Sequence, residues 1–154
     1  MKGPPSIEKA PALMAQTITH SKAAGPARAV SEDHFITADM ETFAGTHLLI
    51  DLWDASGLGN TELIERAIRD SVEVAGASLL DIYLHRFAPS GGISGIAVLA
   101  ESHITVHTWP ERSYAAIDIF MCGNTRPELA IPVLKSAFGA SRAEVSKFQR
   151  GTLS

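Results

Sequence analysis

Four stretches between Ser78 and Met121 constrain this chain more than anything else in it. SLLDIYLHRF (78–87), ISGIAVLA (93–100), HITVHTW (103–109) and YAAIDIFM (114–121) each show the alternation or apolar richness of a strand. The links between them are APSGG (88–92), the pair Glu101–Ser102, and PERS (110–113), all of turn length. Strands joined this closely pair antiparallel, so the fold contains a sheet made of consecutive hairpins.

The flanks complete the pattern. THLLIDLW (46–53) alternates Leu48, Ile50 and Leu52 with His47, Leu49, Asp51 and Trp53, and reads as a central strand. Residues 61–75 place Leu63, Ile64, Ala67, Ile68, Ser71, Val72 and Ala75 on one helical face. Asn60 or Thr61 caps that helix and Gly76 stops it. CGNTRPE (122–128) leads into a second helix reaching about Phe138. Pro127 suits its first turn, and Pro132 is expected to kink it. RAEVSKF (142–148) reads as an edge strand. The expected fold class is α+β: a two-layer sandwich of a mainly antiparallel β-sheet with helices packed on one face.

Residues 1–31 are rich in Pro, Ala, Gly, Ser and Lys without sustained periodicity, and read as a disordered tail. Residues 32–45 are ambiguous, with the character of an ordering arm. The expected division is a flexible N-terminal extension over 1–45 and one folded domain over 46–154. Lys2, Lys9, Lys22 and Arg28 face only Glu8 in the tail. A net charge of −4 offers no footprint for nucleic acid. No stretch has the length and apolarity to span a bilayer, and the N-terminus has no compact apolar signal region. The sole cysteine, Cys122, excludes an internal disulfide and fits a reducing, cytoplasmic setting.

The chemistry concentrates in AESHITVHTWPE (100–111), together with Cys122. His103 and His107 would form a ligand pair on a helix. On a strand they stand about 13 Å apart, beyond the reach of one metal without a sharp bend. Ser102, His107 and Cys122 are the ingredients of a hydrolase, yet no G-x-S-x-G elbow surrounds Ser102. GGISG (91–95) matches neither that elbow nor a dinucleotide-binding loop. Singly, His107 and Cys122 are equally consistent with residues packed inside a sheet. Residue types alone leave these readings open, although a strand that only packs has no need of so many polar groups.

HLLIDLW, HRFAPSGGISG, AESHITVHTWPERSYAAIDIFMCG and RAEVSKFQRG together resemble the prokaryotic-type S-adenosylmethionine decarboxylase proenzymes, from about His47 to Gly151. The resemblance implies a self-processing, pyruvoyl-dependent carboxy-lyase that supplies the aminopropyl donor for spermidine. The Glu101–Ser102 bond would be cut, giving a β chain (1–101) and an α chain (102–154) headed by a pyruvoyl group made from Ser102. That group would form a Schiff base with the substrate amine, with neither a metal nor PLP. His107 corresponds to the residue that assists processing, and Ser94 to the serine that holds the scissile carbonyl. Cys122 corresponds to the acid that reprotonates the substrate carbon. A thiol suits that task, being mostly protonated at neutral pH.

Phe87 corresponds to an aromatic that stacks on adenine, Trp109 lines the same pocket, and Glu111 corresponds to a carboxylate on the ribose hydroxyls. The resemblance further implies a homodimer of αβ units sharing active sites, with S-adenosylmethionine as the small-molecule partner. A relative acting on arginine or ornithine would carry the same Ser102, His107 and Cys122. An inactive binding paralogue would have no reason to keep all three.

Overall fold

The computed structural model describes residues 34–38 and 41–153. The tail expected over residues 1–31 lies outside them. The described part of the arm holds two short paired strands, β1 (Ile36–Ala38) and β2 (Glu41–Phe43). Then come β3 (Gly45–Trp53), α1 (Thr61–Ala75), β4 (Leu79–Arg86), β5 (Ile93–Leu99), β6 (Ser102–Trp109) and β7 (Tyr114–Met121). A 3-10 turn (Pro127–Leu129), α2 (Ala130–Ala137) and β8 (Arg142–Arg150) complete the chain.

The main sheet has six strands in the order β4-β5-β6-β7-β3-β8, and every neighbouring pair is antiparallel. The antiparallel α+β expectation holds. β3 is interior and β8 is an edge, as their sequences imply.

Helix α1 begins where Asn60 accepts the Leu63 N–H at 3.0 Å and ends at Gly76, which takes the left-handed φ of 73°. Its buried stripe is Ile64, Ala67, Ile68, Ser71, Val72 and Ala75. That stripe packs with Leu134 of α2 and Phe138 at its C-terminal cap against Leu48, Ile50 and Leu52 of β3, Ile104 and Val106 of β6, and Ile117 and Ile119 of β7. Each such side chain contributes about 1.5–3 kcal/mol by leaving water.

The second helix departs from expectation. The segment divides into the 3-10 turn and α2, and Pro132 is the third residue of α2. The first turn needs no N–H there, so the proline removes no intrahelical hydrogen bond.

Among the described residues, no helix covers the opposite face of the sheet. Leu49, Ile96, Val98, Trp109 and Phe148 lie exposed on it, beside Tyr83 at 64% exposure. Among the described residues, no helix is long and apolar enough to cross a membrane.

Candidate active site

The site builds from strand periodicity. β6 buries Ser102, Ile104, Val106 and Thr108 and turns His103, Thr105, His107 and Trp109 to the open face. Ser102 and His107 therefore lie on opposite sides of the sheet. Five residues of strand also separate them by about 16 Å. The conspicuous groups of one twelve-residue run are thus divided between two places.

The first place is the tip of the β5–β6 hairpin. Leu99 pairs with Ser102, so Ala100 and Glu101 form a tight turn. Glu101 takes φ 59°, a left-handed conformation that strains a residue with a Cβ. The β6–β7 pairing brings the end of β7 alongside, which places Cys122 beside Ser102. The Cys122 thiol donates to the Glu101 carbonyl oxygen at 3.2 Å and lies 3.6 Å from Ser102 Oγ. Ser102 Oγ also accepts the Cys122 backbone N–H at 3.3 Å. Thr125 closes the following turn by donating to the Cys122 carbonyl at 2.8 Å. Ser102 is buried, at 7% exposure.

The second place lies at the other end of the same strands. Ser94 and His107 are cross-strand partners, and Ser94 Oγ shares a 2.9 Å hydrogen bond with His107 Nδ1. Trp109 stacks on Tyr114, centroids 5.3 Å apart, and Tyr114 packs on Trp53 at 4.5 Å. Glu111 stands exposed on the 3-10 turn that follows β6. Phe87 follows β4, half exposed, with its ring edge-on to His85 at 4.6 Å.

His85 escaped notice in the sequence. It pairs with Ser94 in the sheet register and shares its face with Phe87, two residues on. The i, i+2 spacing inside the strand LHRF was the available signal. At Gly95 the neighbouring strand comes too close for a side chain. A Cβ there would lie 2.2 Å from Leu84 Cδ2 and 2.6 Å from the Tyr83 carbonyl oxygen.

Two titratable groups flank these residues. His103 sits between His47 and Phe120, with centroids 6.4 and 5.8 Å away. Burial, then the neighbouring His47, hold its pKa below the ordinary 6.5, against an opposing pull from Asp118. Tyr114 is pushed up to about 12 by burial and by its hydrogen bond to Asp51. Its hydroxyl remains a donor at physiological pH. Among the described residues, no group of three or more His, Cys, Asp or Glu side chains is placed to hold a metal ion.

A family profile described as S-adenosylmethionine decarboxylase matches residues 46–151, a span that includes both halves of this constellation. The chain belongs to the S-adenosylmethionine decarboxylase family. A family member named S-adenosylmethionine decarboxylase proenzyme from Thermomicrobium roseum is 44% identical over 110 residues, spanning 71% of this chain and 95% of the relative. A proenzyme of the same name from Methanococcus aeolicus is 42% identical over 112 residues, with the same two coverages. The crystal structure of the adenosylmethionine decarboxylase from Aquifex aeolicus superposes with a TM-score of 0.63 at 25% identity. That match covers 73% of this chain and 94% of the other.

Proposed function

We propose that this decarboxylase cuts its own Glu101–Ser102 bond and uses the pyruvoyl group formed at residue 102 to remove CO₂ from S-adenosylmethionine. The observation that carries this reading is the hairpin tip. There a serine hydroxyl, a thiol on the preceding carbonyl and a left-handed Glu101 meet around one peptide bond.

The steps follow from that arrangement. Ser102 Oγ attacks the Glu101 carbonyl carbon while the Cys122 thiol polarises its oxygen. The C–N bond breaks as the C–O bond forms, leaving an ester. Departure from the strained turn offsets part of the uphill rearrangement. A base removes the α-proton of residue 102, the ester C–O bond breaks, and Glu101 leaves as a carboxylate. Water then converts the dehydroalanine to pyruvoyl and releases ammonia.

Residue 102 and its surroundings suit that group. It ends up buried next to a thiol, and among the described residues no other nucleophilic side chain is hydrogen-bonded to it. A pyruvoyl carbonyl supplies an electron sink for the pair left behind when CO₂ departs. Cys122 is placed to hand a proton to the substrate carbon, a role that needs it reduced and fits a cytoplasmic location.

Processing also calls for a base, and His107 serves when supplied by a second copy. In one chain His107 stands on the far side of the sheet from Ser102, hydrogen-bonded to Ser94. A homodimer that pairs the two open faces buries the apolar patch of Leu49, Ile96, Val98 and Phe148. It also brings the partner's Ser94–His107 end, with Phe87, Trp109 and Glu111, over the open side of the hairpin tip, where a base has to reach the α-proton of residue 102 and not its buried side chain. Phe87 and Trp109 offer ring faces to adenine, and Glu111 accepts from the ribose hydroxyls.

Two measurements test the proposal. Purified protein should resolve under denaturing conditions into residues 1–101 and 102–154, and Ser102→Ala should stay whole. The processed protein should release CO₂ from S-adenosylmethionine and not from arginine or ornithine. A wild-type chain that never splits, or a preference for arginine or ornithine, refutes the corresponding half.

A further inference from the structure

We propose that His34 is a positioning residue for self-cleavage, holding Glu101 from a segment upstream of the family-matched residues. The inference rests on the self-cleavage reading above and extends it to a part of the chain that the family profile, starting at residue 46, does not include.

His34 meets the hairpin tip through both its backbone and its ring. Its carbonyl accepts the Gly123 N–H at 2.8 Å, one residue past Cys122. Its Nε2 lies 3.3 Å from Glu101 Oε2. Gly123 takes φ 62°, and a Cβ there would come within 3.3 Å of His34 Nδ1, so the imidazole lies over the turn that carries the thiol. The arm is secured at its other end as well. Phe43 is buried, Ala44 N–H donates to the Arg150 carbonyl, and Leu153 N–H donates to the Thr42 carbonyl, each at 2.8 Å. The arm therefore bridges the C-terminal strand and the scissile turn.

The mechanical result concerns Glu101. Its carbonyl is held by Cys122 and its carboxylate by His34, so the residue before the scissile bond is gripped on both sides. A left-handed residue with a Cβ persists only where its surroundings hold it there. Releasing the carboxylate lets the turn relax and swings the carbonyl carbon away from Ser102 Oγ. His34 touches neither the attacking oxygen nor the scissile carbonyl, which makes it a positioning residue and not a catalytic one.

The experiment follows the time course of cleavage in the full-length chain, read on denaturing gels and by intact mass. His34→Ala should slow cutting about threefold, the scale of a side-chain contact whose partners are 43% and 59% exposed. His34→Gln keeps an N–H donor and should recover most of the rate. Glu101→Ala should slow cutting at least as much as His34→Ala, and adding His34→Ala to it should change nothing further. A His34→Ala chain that cuts at the wild-type rate overturns the proposal. So does one that slows equally in both backgrounds. A wild-type chain that stays whole overturns the self-cleavage reading itself, and this proposal with it.

Discussion

The Cys122 thiol donates to the Glu101 carbonyl oxygen across 3.2 Å, although twenty-one residues separate the two in sequence. The β6–β7 hairpin closes that gap, and under the proposed function it gives the thiol a part in both self-cleavage and decarboxylation. As the sole side-chain donor on the scissile carbonyl among the described hydrogen bonds, it is set to stabilise the oxyanion formed when Ser102 attacks. A thiol is a weak donor, so Cys122→Ala should slow self-cleavage about tenfold, short of the loss typical of a strong oxyanion donor. Cys122→Ser should restore part of that rate while decarboxylation stays poor. Timed mass spectrometry of the precursor measures the first effect and CO₂ release the second.

The proposed sharing of active sites between two copies makes a sharper prediction. Ser102→Ala and His107→Ala chains should each be inactive alone. Co-expressed in equal amounts, they form mixed dimers in which one site draws Ser102 and His107 from the two intact sources. Random pairing makes half of the dimers mixed, so activity should return to about a quarter of the wild-type level. Absence of any recovery, with mixed dimers present by native mass spectrometry, would show that each site is built within one chain.

Phe87 is half exposed and meets His85 in a T-shaped ring contact with centroids 4.6 Å apart. Phe87→Ala should raise KM for S-adenosylmethionine about tenfold, within the range measured for base–aromatic stacking, while kcat changes less. Initial-rate kinetics separate the two. His85→Ala should push KM the same way by a smaller factor, because His85 acts on Phe87's position.

The strands and α1 were legible because each combines a period with clear punctuation. Asn60 and Gly76 bracket the helix where the structure places its ends. Pro132 misled because its effect depends on where the first turn begins, and the 3-10 segment before it shifts that start. The site was legible as a set of residues and not as a shape. Ser102 and His107 look adjacent in sequence, yet an odd spacing along a strand sends them to opposite faces. Cys122 looks remote and is in contact. The His34–Glu101 pair had no local signature, since nothing in a short, weakly patterned arm says which distant turn it will reach.

His103 gives a pH prediction with a definite sign. Its folded pKa lies below the ordinary 6.5, first through burial and then through His47, with Asp118 opposing. In that window the unfolded chain binds more protons than the folded one. Stability should therefore be highest above about pH 6.5, fall as the solution is acidified, and level off once pH passes below the lowered folded value. His103→Gln removes the titrating group and should flatten the profile. Melting temperatures taken between about pH 7.5 and 5.5 measure the difference; equal slopes for both proteins would contradict the assignment.

Gly95 should not tolerate a side chain. A methyl group there meets the Tyr83 carbonyl at 2.6 Å, and backbone cannot step aside as a side-chain tip can. Gly95→Ala should cost about 1–3 kcal/mol in denaturant unfolding. Since β4 has to move to admit it, the substitution should also disturb the placement of His85 and Phe87 and raise KM.

A cut after Glu101 would divide the six strands three and three, but not side by side. β3, β4 and β5 fall in one product and β6, β7 and β8 in the other, yet β3 lies between β7 and β8. The strand is laced into the other fragment like a thread between two others. Severing the β5–β6 turn removes one covalent link and none of the ladders that hold β3 on both flanks. The two products therefore mature as a single woven body. Neither could be made alone without exposing raw edges, and so the chain must fold first and be cut afterwards.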